Sequence, residues 1–234
     1  MHGFLCPMCY STSLDRDMQA LEKRMHRQML EESRHLEPPH QLELPLGQTS
    51  AFARPLWPVV TSKQPQRISI QRWGLLPRYI RTEEEAKEFL KRAPTFNAIS
   101  EEVEGKRTFK HAFEQGQRCL IPVTSFYEWR HEDKQRIPYR IGVKGGDVFC
   151  LGGLWESGDG VDSCTVLTTR ANPLMANIHN SKQRMPVIIP EAHWEAWLSP
   201  DLPPAEVKKL CEPLPEEELE AVLNEAPPAQ GSLF

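Results

Sequence analysis

Cys9 directly follows Met8. Methionine is trimmed when the next side chain is small, so a cysteine in that position can become the first residue of a chain. A terminal cysteine carries an α-amine and a thiol on adjacent carbons. Together they trap an aldehyde as a closed five-membered thiazolidine ring, which no internal cysteine can do. A terminal α-amine has an ordinary pKa of about 7.7–8.0, so a useful fraction is the neutral nucleophile near neutral pH. Seven residues (MHGFLCP) precede Met8. The chemistry therefore needs translation from Met8 or removal of the extension. With the extension in place, Cys9 is a thiol without a free amine. Cys6 and Cys9 also make a C-x-x-C, but no second pair completes a zinc site and no thioredoxin-like strand precedes it.

Three polar residues far downstream could serve such chemistry. In an extended run, Leu120, Pro122, Thr124, Phe126 and Glu128 share one face. A carboxylate among Leu and Phe is poorly solvated, which raises its pKa toward a range useful for proton transfer. Equally, the strand could end there, with Glu128 meeting water or Arg130. His179 falls on a loop between a short helix and a strand, where a lone histidine is usually exposed and idle. Asn97 falls in a turn, where an asparagine ordinarily satisfies backbone groups.

Several elements must position these residues. Leu14, Met18, Leu21, Met25 and Met29 recur at three and four residues and predict a helix over 14–32, N-capped by Ser13 or Asp15. Residues 36–58 are rich in proline and polar groups and read as irregular. Val59 to Thr61 and Arg67 to Trp73 read as strands around a Gln64-Pro65 turn. Thr82 to Lys91 is a helix with a Thr82/Glu85 capping box, and Phe109 to Gln115 is a second, ended at Gly116. Strands follow over 118–129, 137–143, 147–155 and 162–169. Asn172-Pro173 opens a short helix. Met185 to Ile189 is a strand and Glu191 to Leu198 a helix, with terminal helices over Pro203 to Cys211 and Glu216 to Asn224. This order predicts an α+β single domain: a strongly bent, barrel-like, mainly antiparallel sheet flanked by short helices. Three segments are expected: an extension over 1–7, a body over 8–211 and an acidic tail over 212–234. No repeat and no Gly-rich phosphate loop is visible.

Composition excludes several classes. The chain of 234 residues is long enough for a sizeable core, and no run of 18 apolar residues suggests a membrane span. No export signal is visible, and six scattered cysteines read as reduced thiols, so a cytoplasmic location is expected. Cys119, Cys150 and Cys164 lie in apolar strand-like runs and read as inert core. The net charge is −4, but six of the 32 acids lie in residues 212–234, which hold no Lys or Arg. The remainder carries 28 bases against 26 acids. A local basic groove is permitted, whereas tight non-specific duplex binding is not.

The motifs Met8-Cys9-Tyr10, Trp73-Gly74-Leu75-Leu76-Pro77, Phe96 to Glu101 (FNAISE), Cys119 to Trp129 (CLIPVTSFYEW) and Asn177-Ile178-His179 with Arg184-Met185-Pro186 occur in one order. Their order and spacing resemble the SRAP (SOS response-associated peptidase) family, over about Met8 to Leu198. The resemblance implies a damage-response protein, nucleoid-associated, that captures abasic sites in single-stranded DNA covalently through Cys9. It also implies a thiol autopeptidase that clears the residues ahead of that cysteine, an accompanying lyase activity and no cofactor or metal. Glu128 matches the family's general acid/base. His179 matches the histidine that assists sugar-ring opening or stabilises the imine. Asn97 matches the asparagine that bonds the terminal amine or the sugar.

Departures from the pattern matter. The family's arginine two positions after the asparagine is Ile99 here, and the one two positions after the cysteine is Ser11. The insert Asn180-Ser181-Lys182-Gln183 lengthens the usual spacing between His179 and Arg184. DNA contacts are then expected from Arg78, Lys106, Arg107, Lys110, Arg170 and Arg184, with Trp73 as either a stacking platform or core. A non-covalent single-strand reader and an autopeptidase without DNA chemistry remain as alternatives. The chain ends Gln230-Gly231-Ser232-Leu233-Phe234, resembling the Q-x-x-L-F peptide by which bacterial repair proteins bind the replicative sliding clamp. A monomer is the default.

Overall fold

The computed structural model describes residues 11–34, 42–133, 135–158 and 162–224. In chain order its elements are β1 (Ser11–Leu14), α1 (Met18–Met25), β2 (Gln28–Met29), α2 (Glu31–Arg34), β3 (Leu46–Ser50), β4 (Leu56–Thr61) and β5 (Gln64–Trp73). There follow α3 (Glu83–Arg92), β6 (Asn97–Ile99), α4 (Arg107–Glu114), β7 (Arg118–Val123), β8 (Ser125–Glu132), β9 (Gln135–Val143) and β10 (Phe149–Glu156). The last are β11 (Ser163–Arg170), α5 (Pro173–Ile178), β12 (Arg184–Pro186), β13 (Ile188–Ile189), α6 (Trp194–Leu198), α7 (Pro204–Leu210) and β14 (Leu219–Leu223). Met8, Cys9, the extension and the terminal peptide Gln230–Phe234 lie outside the described residues.

The strands form two sheets around one core. One has the order β14-β9-β8-β1-β3. In the other, β5, β4, β7, β10 and β11 pair in succession, and β11 returns to pair in parallel with β5 through Ser163↔Arg72 and Cys164↔Trp73. That closure makes a five-stranded barrel and removes its free edges, as the sequence pattern predicted. Tight curvature needs close approach at β10. A Cβ on Gly153 would stand 2.5 Å from the Thr165 carbonyl oxygen and 2.9 Å from the Cys119 sulfur. Only glycine fits there. One contiguous cluster of buried apolar side chains runs from Leu14 to Leu219, so the body is a single domain.

Four expectations change. The 14–32 helix is instead a strand, β1, and a shorter helix, α1, capped by Asp17, whose carboxylate accepts from the Ala20 amide. The helical spacing of Leu14 and Met18 is coincidental, because Leu14 is buried on a strand. The irregular stretch 36–58 contains β3 and the start of β4. The run 118–129 is two strands: at Thr124 the chain leaves the barrel and enters the other sheet. Both halves are buried, so the apolar pattern runs unbroken across the crossing. The terminal helix over Glu216 to Asn224 is a 3-10 turn followed by β14, which pairs with β9 from Leu219↔Val143 to Leu223↔Tyr139. Residues 212–224 thus belong to the body, since Leu214 and Leu219 are buried. The capping box of Thr82 and Glu85 forms as predicted.

Candidate functional site

α5 brings a histidine onto a buried carboxylate. Asn172 caps the helix through Met175, Pro173 starts it, and His179 closes it with its amide donating to the Met175 carbonyl at 2.7 Å. α5 packs against β8 and β12. On β8, Phe126 and Glu128 share a face and both are buried, Glu128 at 1% exposure. His179 is wholly buried and lies over it, Nδ1 3.9 Å from Glu128 Oε1. At 3.9 Å the two make no direct hydrogen bond, but both are acid/base groups buried in one place, where each can exchange a proton with a third group. His179 is therefore not the exposed loop residue that its surroundings in sequence suggest.

The N-terminal strand pairs with the strand that carries Glu128. β1 lies antiparallel to β8 with Thr12↔Phe126 and Ser13↔Ser125, and continuing that register sets Ser11 opposite Tyr127, one residue before Glu128 along β8 and on the other face of the strand. A hydroxyl seam holds the two strands. The Ser13 and Ser125 hydroxyls are 2.7 Å apart, the Ser13 hydroxyl is 3.2 Å from Thr124 Oγ1, and Tyr127 donates to Ser13 Oγ at 3.4 Å. Sequence reasoning missed this seam. The small hydroxyl residues at 11–13 and 124–125 were its only signal.

Asn97 is on β6, half-buried, opposite Val166 of β11, while Ile99 pairs with Thr168. Thr168 also pairs with Pro186 of β12, so β6 and β12 flank the same stretch of β11. Arg184 pairs with Arg170 at the end of that stretch, and its side chain turns back along it. Its guanidinium makes two bonds to Glu101, Nη1 to Oε1 at 3.0 Å and Nη2 to Oε2 at 2.7 Å, and a third to the Thr168 carbonyl at 2.7 Å. Burial alone would push the Glu101 carboxyl up, but the bonds from Arg184 and from its own backbone and Ser100 outweigh that and hold it below the usual carboxylate range. Glu101 is the acid of the FNAISE motif and was the available signal for this pair. The insert after His179 folds back rather than displacing the histidine. Asn180 accepts from the His131 amide at 3.1 Å and donates to its carbonyl at 2.8 Å.

The other basic candidates lie elsewhere on the surface. Arg170 is exposed on a cleft of about 290 Å³ that Ser100, Glu101, Lys208 and Cys211 also line. Arg78 is exposed and donates to Glu156 at 2.7 Å. Lys110 pairs with Glu114 at 3.7 Å. Trp73 is corrected: its ring is buried in the core at 3% exposure and its indole donates to the Phe96 carbonyl at 2.8 Å. It offers no face to a base. Cys119, Cys150 and Cys164 are buried as expected, and burial pushes the Cys164 thiol up to about 12. No cluster of three or more potential metal ligands occurs among the described residues. None of their helices is long and apolar enough to cross a membrane.

The family model for SOS response associated peptidase (SRAP) matches residues 8–224. The chain belongs to the SRAP family. Among its relatives, the abasic site processing protein YoqW of Bacillus subtilis (strain 168) is 32% identical over 170 residues, covering 70% of this chain and 71% of that one. The abasic site processing protein HMCES of Xenopus tropicalis is 26% identical over 172 residues, which is 63% of this chain and 50% of that protein. A crystal structure of a protein from Bacteroides thetaiotaomicron has the same fold. Its TM-score is 0.81 at 30% identity, with 92% of this chain and 91% of that one aligned. The buried Glu128–His179 pair thus lies in an SRAP fold at positions that the motif resemblance singled out.

Proposed function

We propose that this SRAP protein handles abasic sites in DNA, and that it does so by covalent capture through Cys9 as the first residue of the mature chain. The observation that carries the reading is the buried Glu128–His179 pair, with Glu128 on the strand that pairs with β1. Cys9 is two residues from Ser11, a reach of about 7 Å at full extension, and the β1–β8 register carries Ser11 to Tyr127, the residue before Glu128. Relatives named for abasic site processing support the substrate class.

The chemistry balances without a cofactor. The amine of Cys9 condenses with the ring-opened sugar aldehyde to an imine, releasing water. The thiol then adds across the C=N bond: sulfur bonds to carbon, and its proton reaches nitrogen by way of His179 and Glu128. Covalent capture of this kind divides one difficult step into two. Asn97 bonds the amine or the sugar. The exposed Arg78, Lys110 and Arg170 supply phosphate contacts on single-stranded DNA. For removal of residues 1–8, the Cys9 thiol attacks the Met8 carbonyl, the peptide nitrogen takes the proton and leaves as the free amine, and water then hydrolyses the thioester to release residues 1–8 and restore the thiol. A role in the damage response, and docking of Gln230, Leu233 and Phe234 on a sliding clamp, belong to the same proposal. The docking part falls if deleting Leu233 and Phe234 leaves clamp binding unchanged.

The test is intact mass after mixing the purified protein with a single-stranded oligonucleotide bearing one abasic site. A chain beginning at Cys9 and an adduct that survives denaturant are expected. Cys9→Ala should abolish the adduct, and His179→Ala and Glu128→Gln should slow it by about 100-fold or more each. Salt-sensitive binding with no adduct would overturn the covalent reading in favour of a non-covalent reader. Loss of residues 1–8 without preference for abasic DNA would leave an autopeptidase.

A further inference from the structure

His179 Nδ1 lies 3.0 Å from the backbone carbonyl oxygen of Arg184. A carbonyl has no hydrogen to give, so Nδ1 must carry it. Glu128 Oε1, at 3.9 Å, is too far to compete for that hydrogen. The other ring nitrogen, Nε2, is fully buried and has no hydrogen-bond partner among the described residues. A buried polar atom left unpaired costs about 1–3 kcal/mol, so it marks a place where an occupant is expected.

We infer that His179 rests as the Nδ1–H tautomer, fixed by the Arg184 carbonyl, and presents Nε2 as a bare acceptor to the donor that enters the site. Arg184 is then a positioning residue and not a phosphate contact. The local structure supports this division. The guanidinium is pinned by Glu101 and by the Thr168 carbonyl, and the side chain is 15% exposed. The backbone between the two residues is closed as well. The Gln183 amide donates to the His179 carbonyl at 2.8 Å, and the Gln183 carbonyl accepts from Ala171 at 2.9 Å. Gln183 takes the left-handed conformation needed to make that turn, at φ 53°. The ion pair from β12 to the turn after β6, with the bond to the Thr168 carbonyl of β11, thus sets where the Arg184 carbonyl stands, and the carbonyl sets which histidine nitrogen is free. The outer bond of a buried histidine commonly fixes its tautomer in this way. The identity of the entering donor, the amine or thiol of Cys9, rests on the proposed function; the tautomer does not.

The experiment is long-range ¹H–¹⁵N correlation NMR on the full chain labelled at histidine, near pH 8, assigned by the signals lost in His179→Asn. An unprotonated Nε2 and a protonated Nδ1 are expected. The reverse tautomer would overturn the inference. Arg184→Gln then separates positioning from DNA contact, and its spectrum also reports whether the variant is folded. Positioning predicts a mixture of tautomers and a crosslinking rate lower by about tenfold or more, at unchanged oligonucleotide affinity. A phosphate contact predicts an unchanged tautomer and weaker binding, with a salt slope smaller by about one. If the tautomer is as stated but the wild type forms no adduct, the covalent function fails and this inference stands.

Discussion

Asn172 is where the architecture of the site can be tested as a stability. Its side-chain oxygen accepts from the Met175 amide at 2.8 Å, capping the helix that carries His179. Its amide nitrogen donates to the Leu214 carbonyl at 2.8 Å, tying α5 to the segment before β14, and the residue is 7% exposed. Replacing it with alanine removes both bonds. Loss of an N-cap costs about 1 kcal/mol, and a buried carbonyl left unpaired costs about 1–3 kcal/mol. Asn172→Ala should therefore destabilise by about 2–4 kcal/mol, or about 5–15 °C in Tm for a chain of this size. Asn172→Ser keeps a capping oxygen but cannot reach Leu214, so it should recover about 1 kcal/mol of that loss. Thermal melts and urea titrations of the three proteins measure both steps. A Tm for Asn172→Ala within about 2 °C of wild type would refute the reasoning. Equal losses for the serine and alanine variants would remove the cap from it. If α5 positions the histidine, crosslinking per folded molecule should fall in the same order as stability.

Two further predictions follow from charge and burial. The four described cysteines are buried, and burial pushes Cys164 and Cys211 up to about 12, with Cys119 and Cys150 also raised. A thiol reagent at pH 8 should leave all four unmodified in the native protein. Mass-spectrometric labelling of any of them at the rate of a free thiol would contradict the packing. Burial alone would raise the Glu156 carboxyl, but bonds from Arg78, Gln117 and His111 outweigh it and depress its pKa below 4.5. A depressed carboxylate stabilises the fold above its unfolded pKa, and that contribution is lost as pH falls through the folded value. Glu156→Gln should therefore lower Tm at pH 7, and the gap to wild type should narrow below about pH 4. A gap that is constant with pH would assign the loss to packing.

The candidate site residues could be named from the sequence because their motifs are local. Asn97, Glu128 and His179 each lie in a short segment whose residue types and order carry the family resemblance. The closed barrel was legible as many short apolar strands, and the Thr82/Glu85 cap as a four-residue pattern. The helix read over 14–32 failed because Leu14 happens to continue the spacing of Met18, Leu21 and Met25. The strand read over 118–129 failed because burial on both sides of Thr124 hides the passage from one sheet to the other. β14 was read as helix because its acidic, leucine-containing stretch has good helix formers, and pairing with β9 overrides them.

The sequence by itself determined the family, the strand-rich single domain and which residue types could handle an aldehyde. Those depend on side-chain identity and short-range spacing. The tertiary structure alone decided that His179 is buried over Glu128, that Arg184 is tied to Glu101, that Trp73 is core, and which nitrogen of His179 is free. Each of these is a relation between segments distant in the chain, set by how the sheets and α5 pack. Spacing along one strand or helix holds no record of which residues will meet across the core.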